Sequence, residues 1–290
     1  MIYTISNDYL ELSVDSFGAE MKRLCGTNGI EYLCPEERRN WEHTSPILFP
    51  NTGWVKDNSL SYYGKSYPYK QHGFAKDSEF SILDHESTQI SFWLNWSKDS
   101  LLYCPFYFKL IVSYILEGHS VVIKTSVTNE SQDLSMYYSL GFHPGFSCPL
   151  RDDECAEDYE ISFDKPVTAS RLVLKNAMVA GRIGEYWNMV KSIPVREGMF
   201  DKGSYSMADI SSHAVSLISK KGNYVRLEFD RYPNLVLWAP PFKKITNICI
   251  EPWFGQPDRI SGEPDIRKKP YTKQLLPLER DEIFFKIMVG

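Results

Sequence analysis

Short strand-like segments, separated by turn signals, recur along almost the whole of this 290-residue chain. The stretches 107–116 and 120–128 are rich in β-branched residues and flank Glu117-Gly118-His119, which is typical of a hairpin loop. Further segments of the same kind are 3–14 (a strand pair broken near residues 7–8), 61–69, 87–96, 214–219, 224–229, 235–238, 245–251 and 284–289. Many short strands at short intervals predict an all-β sandwich or barrel.

Helical signals are few. Only residues 36–41 and 175–181 suggest short helices, and neither is long enough for a helix bundle or a repeated βαβ unit. The chain also lacks the glycine-rich phosphate-binding motifs that open a doubly wound sheet. A nucleotide-binding α/β fold is therefore not expected.

The sequence contains no internal repeat. Its 17 Pro and 17 Gly residues are evenly spread, so no long linker divides the chain. We therefore expect a single domain over residues 1–290. No apolar run is long enough to cross a membrane, and a net charge of −5 argues against nucleic acid as a partner. The N-terminal residues lack the basic and apolar regions of a signal peptide, so none is expected, and the six cysteines form no CxxC pairs. Free thiols in the cytoplasm, without a structural metal site, are the expectation.

Three motifs place one titratable residue beside glycine or proline. They contain His72 (residues 71–76), His143 (residues 140–146) and Glu251 (residues 249–255). Glycine lets a backbone approach a ligand closely, and proline fixes a turn. Two histidines and a carboxylate suit proton transfer near neutral pH. Spacing alone leaves open the alternative of two hydrogen-bonded histidines and a salt-bridged glutamate.

Taken together, the motifs resemble the aldose 1-epimerase (galactose mutarotase-like) family, and within it the LacX-type branch. The resemblance rests on His-Gly-Phe at 72–74, Gly-x-His-Pro-x-Phe at 141–146 and Glu-Pro-Trp-x-Gly at 251–255. It begins at Phe17-Gly18-Ala19-Glu20, includes the aromatic stretch 62–67 and ends after Asp258, so it covers nearly the whole chain.

The resemblance implies a β-supersandwich of large antiparallel sheets with few short helices and a sugar cleft on a concave face. It also implies an isomerase that interconverts the α and β anomers of an aldose by opening and reclosing the ring. In that chemistry Glu251 matches the general base, His143 the general acid, and His72 a second histidine that binds the sugar near its ring oxygen. No metal or organic cofactor is implied, and the expected partner is a small-molecule sugar.

Two positions depart from the family's pattern. The branch usually carries Arg after the glycine of the Pro-x-x-Gly turn, but Trp54 stands there and offers only one N–H and a stacking face. The family tends to have a sugar-binding Asp where Gly203 stands, and Asp201 would reach the same face only if this stretch is extended. Lys56 or Lys76 are candidates for the missing cation.

Aromatic residues near these motifs have two interpretations. Trp253 is a candidate stacking platform for the apolar face of a sugar, with core packing as the alternative. We expect Trp238, Phe142 and Phe146 in the core, and His43 on the surface or within a strand.

These departures keep two other functions open. One is a sugar-binding or sensing protein on the same fold with weak or no catalysis. The other is an epimerase that acts on a modified sugar, for example a phosphorylated one.

Overall fold

β-strands are the dominant regular secondary structure of the chain, and the computed structural model describes residues 1–290. The strands are β1 (Ile2–Ser6), β2 (Leu10–Asp15), β3 (Glu20–Gly26), β4 (Ile47–Leu48), β5 (Ser59–Tyr62), β6 (Lys65–Pro68), β7 (Ser81–His85), β8 (Gln89–Asn95), β9 (Phe108–Glu117), β10 (Ser120–Asn129), β11 (Met136–Tyr138), β12 (Leu140–Phe142), β13 (Gly145–Ser147), β14 (Tyr159–Lys175), β15 (Met178–Pro194), β16 (Tyr205–Ala208), β17 (Ala214–Ser219), β18 (Tyr224–Phe229), β19 (Asn234–Trp238), β20 (Asn247–Phe254), β21 (Lys273–Leu275) and β22 (Arg280–Val289). Five single-turn 3-10 helices complete the structure: Lys56–Asn58, Ala75–Asp77, Ser100–Leu102, Ala156–Asp158 and Ile266–Lys268. None of these helices has the length and apolarity that a membrane span requires.

One large antiparallel sheet organises the molecule. It has 15 strands in the order β4-β12-β20-β19-β16-β14-β17-β18-β22-β10-β9-β8-β7, with β13 paired to β20 and β15 paired to β14. Smaller sheets are β1-β2-β3, β5-β6 and β11-β21. The predicted all-β class, with large antiparallel sheets and few short helices, is confirmed.

The β9–β10 hairpin shows why the strand pattern could be read from the sequence. Ser120 pairs with Glu117 across the turn, and the register continues to Asn129 opposite Phe108. Every second residue of β9 is buried from Phe108 onward, while its neighbours are partly exposed. This alternation is the pattern of a strand with one face against the core.

Both predicted helices are wrong. Residues 36–41 form turns, in which the backbone N–H groups of Arg38 and Arg39 both donate to the Pro35 carbonyl. Residues 175–181 contain the tight turn between β14 and β15, with Asn176 and Ala177 at positive φ. Here the pairing of two 17-residue strands outweighs local helix propensity. The sequence pattern also missed these long strands, and the predicted strand 61–69 contains the turn between β5 and β6.

A contiguous cluster of 67 buried apolar residues runs from Ile5 to Val289. It includes aromatic side chains from distant parts of the sequence, among them Phe142 and Phe146, which were predicted to lie in the core. Because this core joins the first and last strands, it supports our proposal that residues 1–290 form one domain.

Candidate active site

A cleft of about 910 Å³ lies over neighbouring strands of the large sheet. Strands β20, β19, β16 and β14 supply lining side chains, and the loop from β12 to β13 supplies another. The cleft contains five of the six predicted site residues: His72, His143, Glu251, Trp54 and Trp253. Segments far apart in the sequence therefore meet at one place.

Glu251 lies in the middle of β20, opposite Val236 of β19. Its side chain is only 1% exposed, and neither carboxylate oxygen accepts an aligned hydrogen bond. Oε2 lies 3.2 Å from Nε2 of His143. Burial raises the pKa of Glu251 well above its ordinary value, and the nearby Trp253 indole only partly opposes the shift.

His143 occupies the short loop between β12 and β13. Its ring packs against Trp41 at 4.6 Å between centroids and against Trp238 at 5.8 Å, and its Nδ1 has no hydrogen-bond partner. Burial lowers the pKa of His143 well below its ordinary value, and the neighbouring His72 adds to the shift. The structure thus places a neutral imidazole against a buried carboxyl group.

His72 follows β6 with φ of +64°, in the left-handed region. Gly73 must be glycine here, because a Cβ would lie 2.1 Å from the carbonyl oxygen of Phe49. Nδ1 of His72 accepts a hydrogen bond from the backbone N–H of Gly53 at 3.1 Å. Burial, with a smaller contribution from Lys76, lowers the pKa of His72 to about 3. The neutral ring therefore carries its proton on Nε2, which lies 3.2 Å from the side-chain amide nitrogen of Gln71.

The three titratable groups converge. The ring centroids of His72 and His143 lie 5.8 Å apart, nearly perpendicular, and His72 lies 5.5 Å from the ring of Trp253. Glu251 and Trp253 share one face of β20, because they are two residues apart in a strand. A ligand in this part of the cleft would meet two imidazoles, a carboxyl group and an aromatic ring.

A buried carboxylate fixes the backbone around His143. Oε1 of Glu20, the first residue of β3, accepts hydrogen bonds from the backbone N–H groups of Thr44 and Ser45 at 2.6 and 2.9 Å. The carbonyl of Pro46 in the same segment accepts the backbone N–H of His143 at 3.1 Å. Glu20 therefore holds the segment that in turn holds the His143 loop.

Trp54 lines the cleft directly after a turn that requires glycine. Gly53 has φ of +74°, and a Cβ there would lie 2.5 Å from Pro257. Of the two lysines suggested as substitutes for the missing arginine, Lys76 lines the cleft and Lys56 does not.

Asp201 is the predicted site residue that the structure does not bring into the cleft. The stretch around it is a turn rather than an extended strand, and its Oδ1 accepts the backbone N–H of Phe242 at 2.8 Å. Gly203 does line the cleft, with open space where its Cβ would be. The carboxylate that the family pattern places here is thus absent from this wall.

Sequence reasoning missed several lining residues. Trp41, His43 and Trp238 all line the cleft. His43 lies in an irregular segment rather than in a strand or on the open surface, whereas Trp238 packs against a small buried apolar cluster and also faces the cleft. Trp238 pairs with Cys249 across β19 and β20, a register that only the folded sheet reveals. No motif marked Trp41, which reaches the site from an irregular segment.

Arg171 is a further unpredicted residue of the cleft. Its guanidinium lies 4.9 Å from the ring centroid of Tyr186 and 4.6 Å from that of Tyr205. It donates to the Tyr186 hydroxyl at 2.9 Å and to the Ser204 carbonyl at 3.3 Å. Arg171 therefore places a guanidinium in the wall of the cleft, whereas position 54 carries no cation.

One cluster offers ligand atoms suited to a metal ion. The ligand atoms of His143, Cys249 and Glu251 all lie within 4.8 Å of one another, and all three residues are buried.

Comparisons with known proteins agree with this architecture. Residues 1–273 match the family model of the aldose 1-epimerases. The plasmid-encoded protein LacX of Lactococcus lactis subsp. lactis is 27% identical over 100% of this chain and 99% of LacX. A galactose mutarotase related enzyme from Lactobacillus acidophilus is 27% identical, with a TM-score of 0.93 over 100% of this chain and 97% of that chain. A galactose mutarotase-like protein from Lactobacillus casei is 26% identical, with a TM-score of 0.92 over 100% of both chains.

These neighbours confirm the galactose mutarotase-like β-supersandwich that the motifs implied. A more distant structure, a galactose 1-epimerase from Lactobacillus acidophilus, is 14% identical with a TM-score of 0.67 and shows a shared fold. Since the family match extends over residues 1–273, the chain belongs to the aldose 1-epimerase family, a family of isomerases.

Proposed function

We propose that this protein interconverts the α and β anomers of a free aldose, with Glu251 as general base and His143 as general acid. One observation carries the proposal. A carboxyl group that is 1% exposed and lacks an aligned hydrogen bond lies 3.2 Å from a buried imidazole, beside a cleft open to a ligand. Buried titratable groups without hydrogen-bond partners are rare outside catalytic and ligand-binding sites.

The reaction needs one proton removed and one supplied. The Glu251 carboxylate takes the proton of the anomeric hydroxyl while His143 protonates the ring oxygen, and the bond between C1 and that oxygen breaks. The open-chain aldehyde rotates about its C1–C2 bond. As the ring recloses on either face of the carbonyl, Glu251 gives its proton to the carbonyl oxygen and His143 takes its proton back from the ring-forming hydroxyl.

The shifted pKa values of the pair fit this exchange. Glu251 and His143 can share one exchangeable proton in two ways, as a carboxylic acid beside a neutral imidazole or as a carboxylate beside an imidazolium. The total number of protons is the same in both states. Burial favours the uncharged form of Glu251 and His143 in the empty cleft, since it raises the pKa of the first and lowers that of the second. Sugar hydroxyls that hydrogen-bond the carboxylate would favour the charged, catalytic form without any proton from solvent.

Other residues of the cleft suit a sugar. Neutral His72 can donate from Nε2 to the region of the ring oxygen, because Nδ1 is occupied by Gly53 and a ligand would take the place of the Gln71 amide beside Nε2. Trp253, whose Nε1 has no partner, and Trp54 offer aromatic faces to the C–H surface of a pyranose. Arg171 supplies directional donors for sugar hydroxyls.

A second candidate is a sugar-binding protein with little catalysis. It is favoured by Trp54 in place of an arginine and by the absence of an acidic residue at Gly203, since both changes affect how a sugar is held. Lys70, Lys76 and Lys202 also line the cleft, which keeps a phosphorylated sugar among the substrates to be tried.

A panel experiment separates these functions. Anomer exchange would be followed by magnetisation-transfer NMR on neutral aldoses, hexose 6-phosphates and uronic acids, with binding followed by chemical-shift titration. Exchange above the buffer rate for any member identifies a mutarotase and its substrate class. Saturable shifts without faster exchange for every member would refute catalysis and leave the binding protein.

We also propose the cytoplasm as the location and a small sugar as the partner. All six cysteines are free, and four of them are buried, which suits a reducing compartment.

A further inference from the structure

We propose that His143, Cys249 and Glu251 form a binding site for Zn²⁺, and that the bound ion inhibits the protein. The inhibitory part rests on the proposed function, whereas the binding part does not. An imidazole nitrogen, a thiolate sulfur and a carboxylate oxygen are the three ligand types that zinc uses in proteins. Three protein ligands and one open position are typical of an accessible zinc site.

The geometry of the cluster is close to that of a tetrahedral site. Zinc–ligand bonds of about 2.0–2.3 Å place two tetrahedral ligands about 3.3–3.8 Å apart. Nε2 of His143 lies 3.2 Å from Oε2 of Glu251, and all three ligand atoms lie within 4.8 Å of one another. Side-chain movements of up to about 1 Å would bring the ligands to zinc distances.

The unsatisfied hydrogen bonds of the cluster point independently to a ligand. Glu251 is 1% exposed, yet neither of its oxygens accepts an aligned hydrogen bond. Buried polar atoms without partners are costly, and a cation would satisfy both oxygens. Cys249 is fully buried, and Nδ2 of Asn247 lies 3.8 Å from its sulfur, so the thiolate formed on metal binding has a hydrogen-bond donor ready.

The position of the cluster at the cleft and the charge of its ligands determine how bound zinc would affect the proposed activity. His143 and Glu251 line the cleft and Cys249 lies behind them, so the open position faces the space that a sugar would fill. Zn²⁺ displaces the thiol proton and any proton on the carboxyl group, so the metal is bound by one thiolate and one carboxylate. An ion that holds Glu251 and His143 removes the base and the acid together. Sugar and metal should therefore compete.

Binding is tested without reference to activity. Co²⁺, a spectroscopic substitute for Zn²⁺, is titrated into metal-free full-length protein, and the thiolate-to-cobalt charge-transfer band is recorded. We expect a band that one equivalent of Zn²⁺ abolishes and that Cys249→Ser lacks. Cys155→Ser is the matched control, because Cys155 is exposed beside the Asp158 carboxylate at 3.2 Å and could bind metal at the surface.

A band that survives Cys249→Ser and disappears in Cys155→Ser would overturn the site, as would no band in the unsubstituted protein. If Cys249→Ser does not fold, Glu251→Gln serves instead, with cobalt affinity expected to fall at least about tenfold. Cobalt affinity unchanged in Glu251→Gln would also overturn the site.

Inhibition is tested on whichever sugar shows exchange. We expect Zn²⁺ to suppress anomer exchange, and excess sugar to raise the zinc concentration required. Zinc binding at the cluster with undiminished exchange would refute the inhibitory role alone. Absence of exchange in metal-free protein, with the cobalt band present, would refute the proposed mutarotase and leave the metal site intact.

Discussion

Replacing Glu20 with glutamine tests whether the buried carboxylate stabilises the His143 segment through its charge. Glu20 is 3% exposed. Burial raises its pKa, but His43, Lys22 and the Thr44 N–H outweigh burial and lower the pKa to about 2 from an ordinary 4.5. Glutamine keeps an oxygen for the N–H groups, removes the charge and puts an NH2 group where Oε2 accepts from Lys22.

The size and sign of the effect follow from linkage. A folded-state pKa near 2 against 4.5 in the unfolded chain is a shift of about 2.5 units, worth about 3 kcal/mol of stability at pH 7. Because the folded pKa is the lower one, this stability is present above pH 4.5 and is lost as the pH falls towards 2. At pH 3 about 2 of these 3 kcal/mol should already be gone.

The assay is urea unfolding of wild type and Glu20→Gln at pH 7 and pH 3. We expect a deficit for the variant at pH 7 that narrows by about 2 kcal/mol at pH 3. Glu20→Ala should cost about 2–6 kcal/mol more than glutamine, because two buried N–H groups lose their acceptor at about 1–3 kcal/mol each. Equal stabilities at pH 7, or a deficit independent of pH, would refute the reasoning.

Three further predictions concern packing, protonation and cooperativity. Gly141→Ala should cost about 1–3 kcal/mol in thermal unfolding and weaken sugar binding. The reason is that the Cβ of an alanine at position 141 would lie 2.6 Å from Cδ1 of Trp253. Gly181→Ala is the control, because the Cβ there would meet open space. The pH profile of kcat/KM should have its acid limb well below 6.5 and its alkaline limb well above 4.5. The reason is that the active pair shares one proton, while burial lowers the pKa of His143 and raises that of Glu251. An acid limb at 6.5 would contradict this. Urea unfolding followed by tryptophan fluorescence and by circular dichroism should give coincident curves if the chain is one domain, and separated curves would indicate two.

Much of the sheet could be predicted because its signals are local. Strands β17 and β18 begin and end where the apolar stretches 214–219 and 224–229 do. Long-range pairing produced the errors. Residues 175–181 look helical in isolation, but β14 and β15 pair over their length and turn there. Local propensity is a weak predictor when tertiary pairing competes with it.

The candidate site was predicted unevenly for a similar reason. His72, His143 and Glu251 lie beside glycine or proline, and that local signal together with the family motif marked them. Arg171 and Trp41 carry no such signal, since only the order of strands in the sheet and the path of an irregular segment bring them to the cleft. Asp201 was placed by assuming an extended chain where a turn occurs.

The most direct test of the central claim compares wild type with Glu251→Gln on one sugar, by magnetisation-transfer NMR for exchange and by chemical-shift titration for affinity. Glutamine preserves shape and cannot accept the proton. We predict that Glu251→Gln lowers the exchange rate about 10²–10⁴-fold, with sugar affinity unchanged within about threefold. Exchange at the wild-type rate in Glu251→Gln would contradict it.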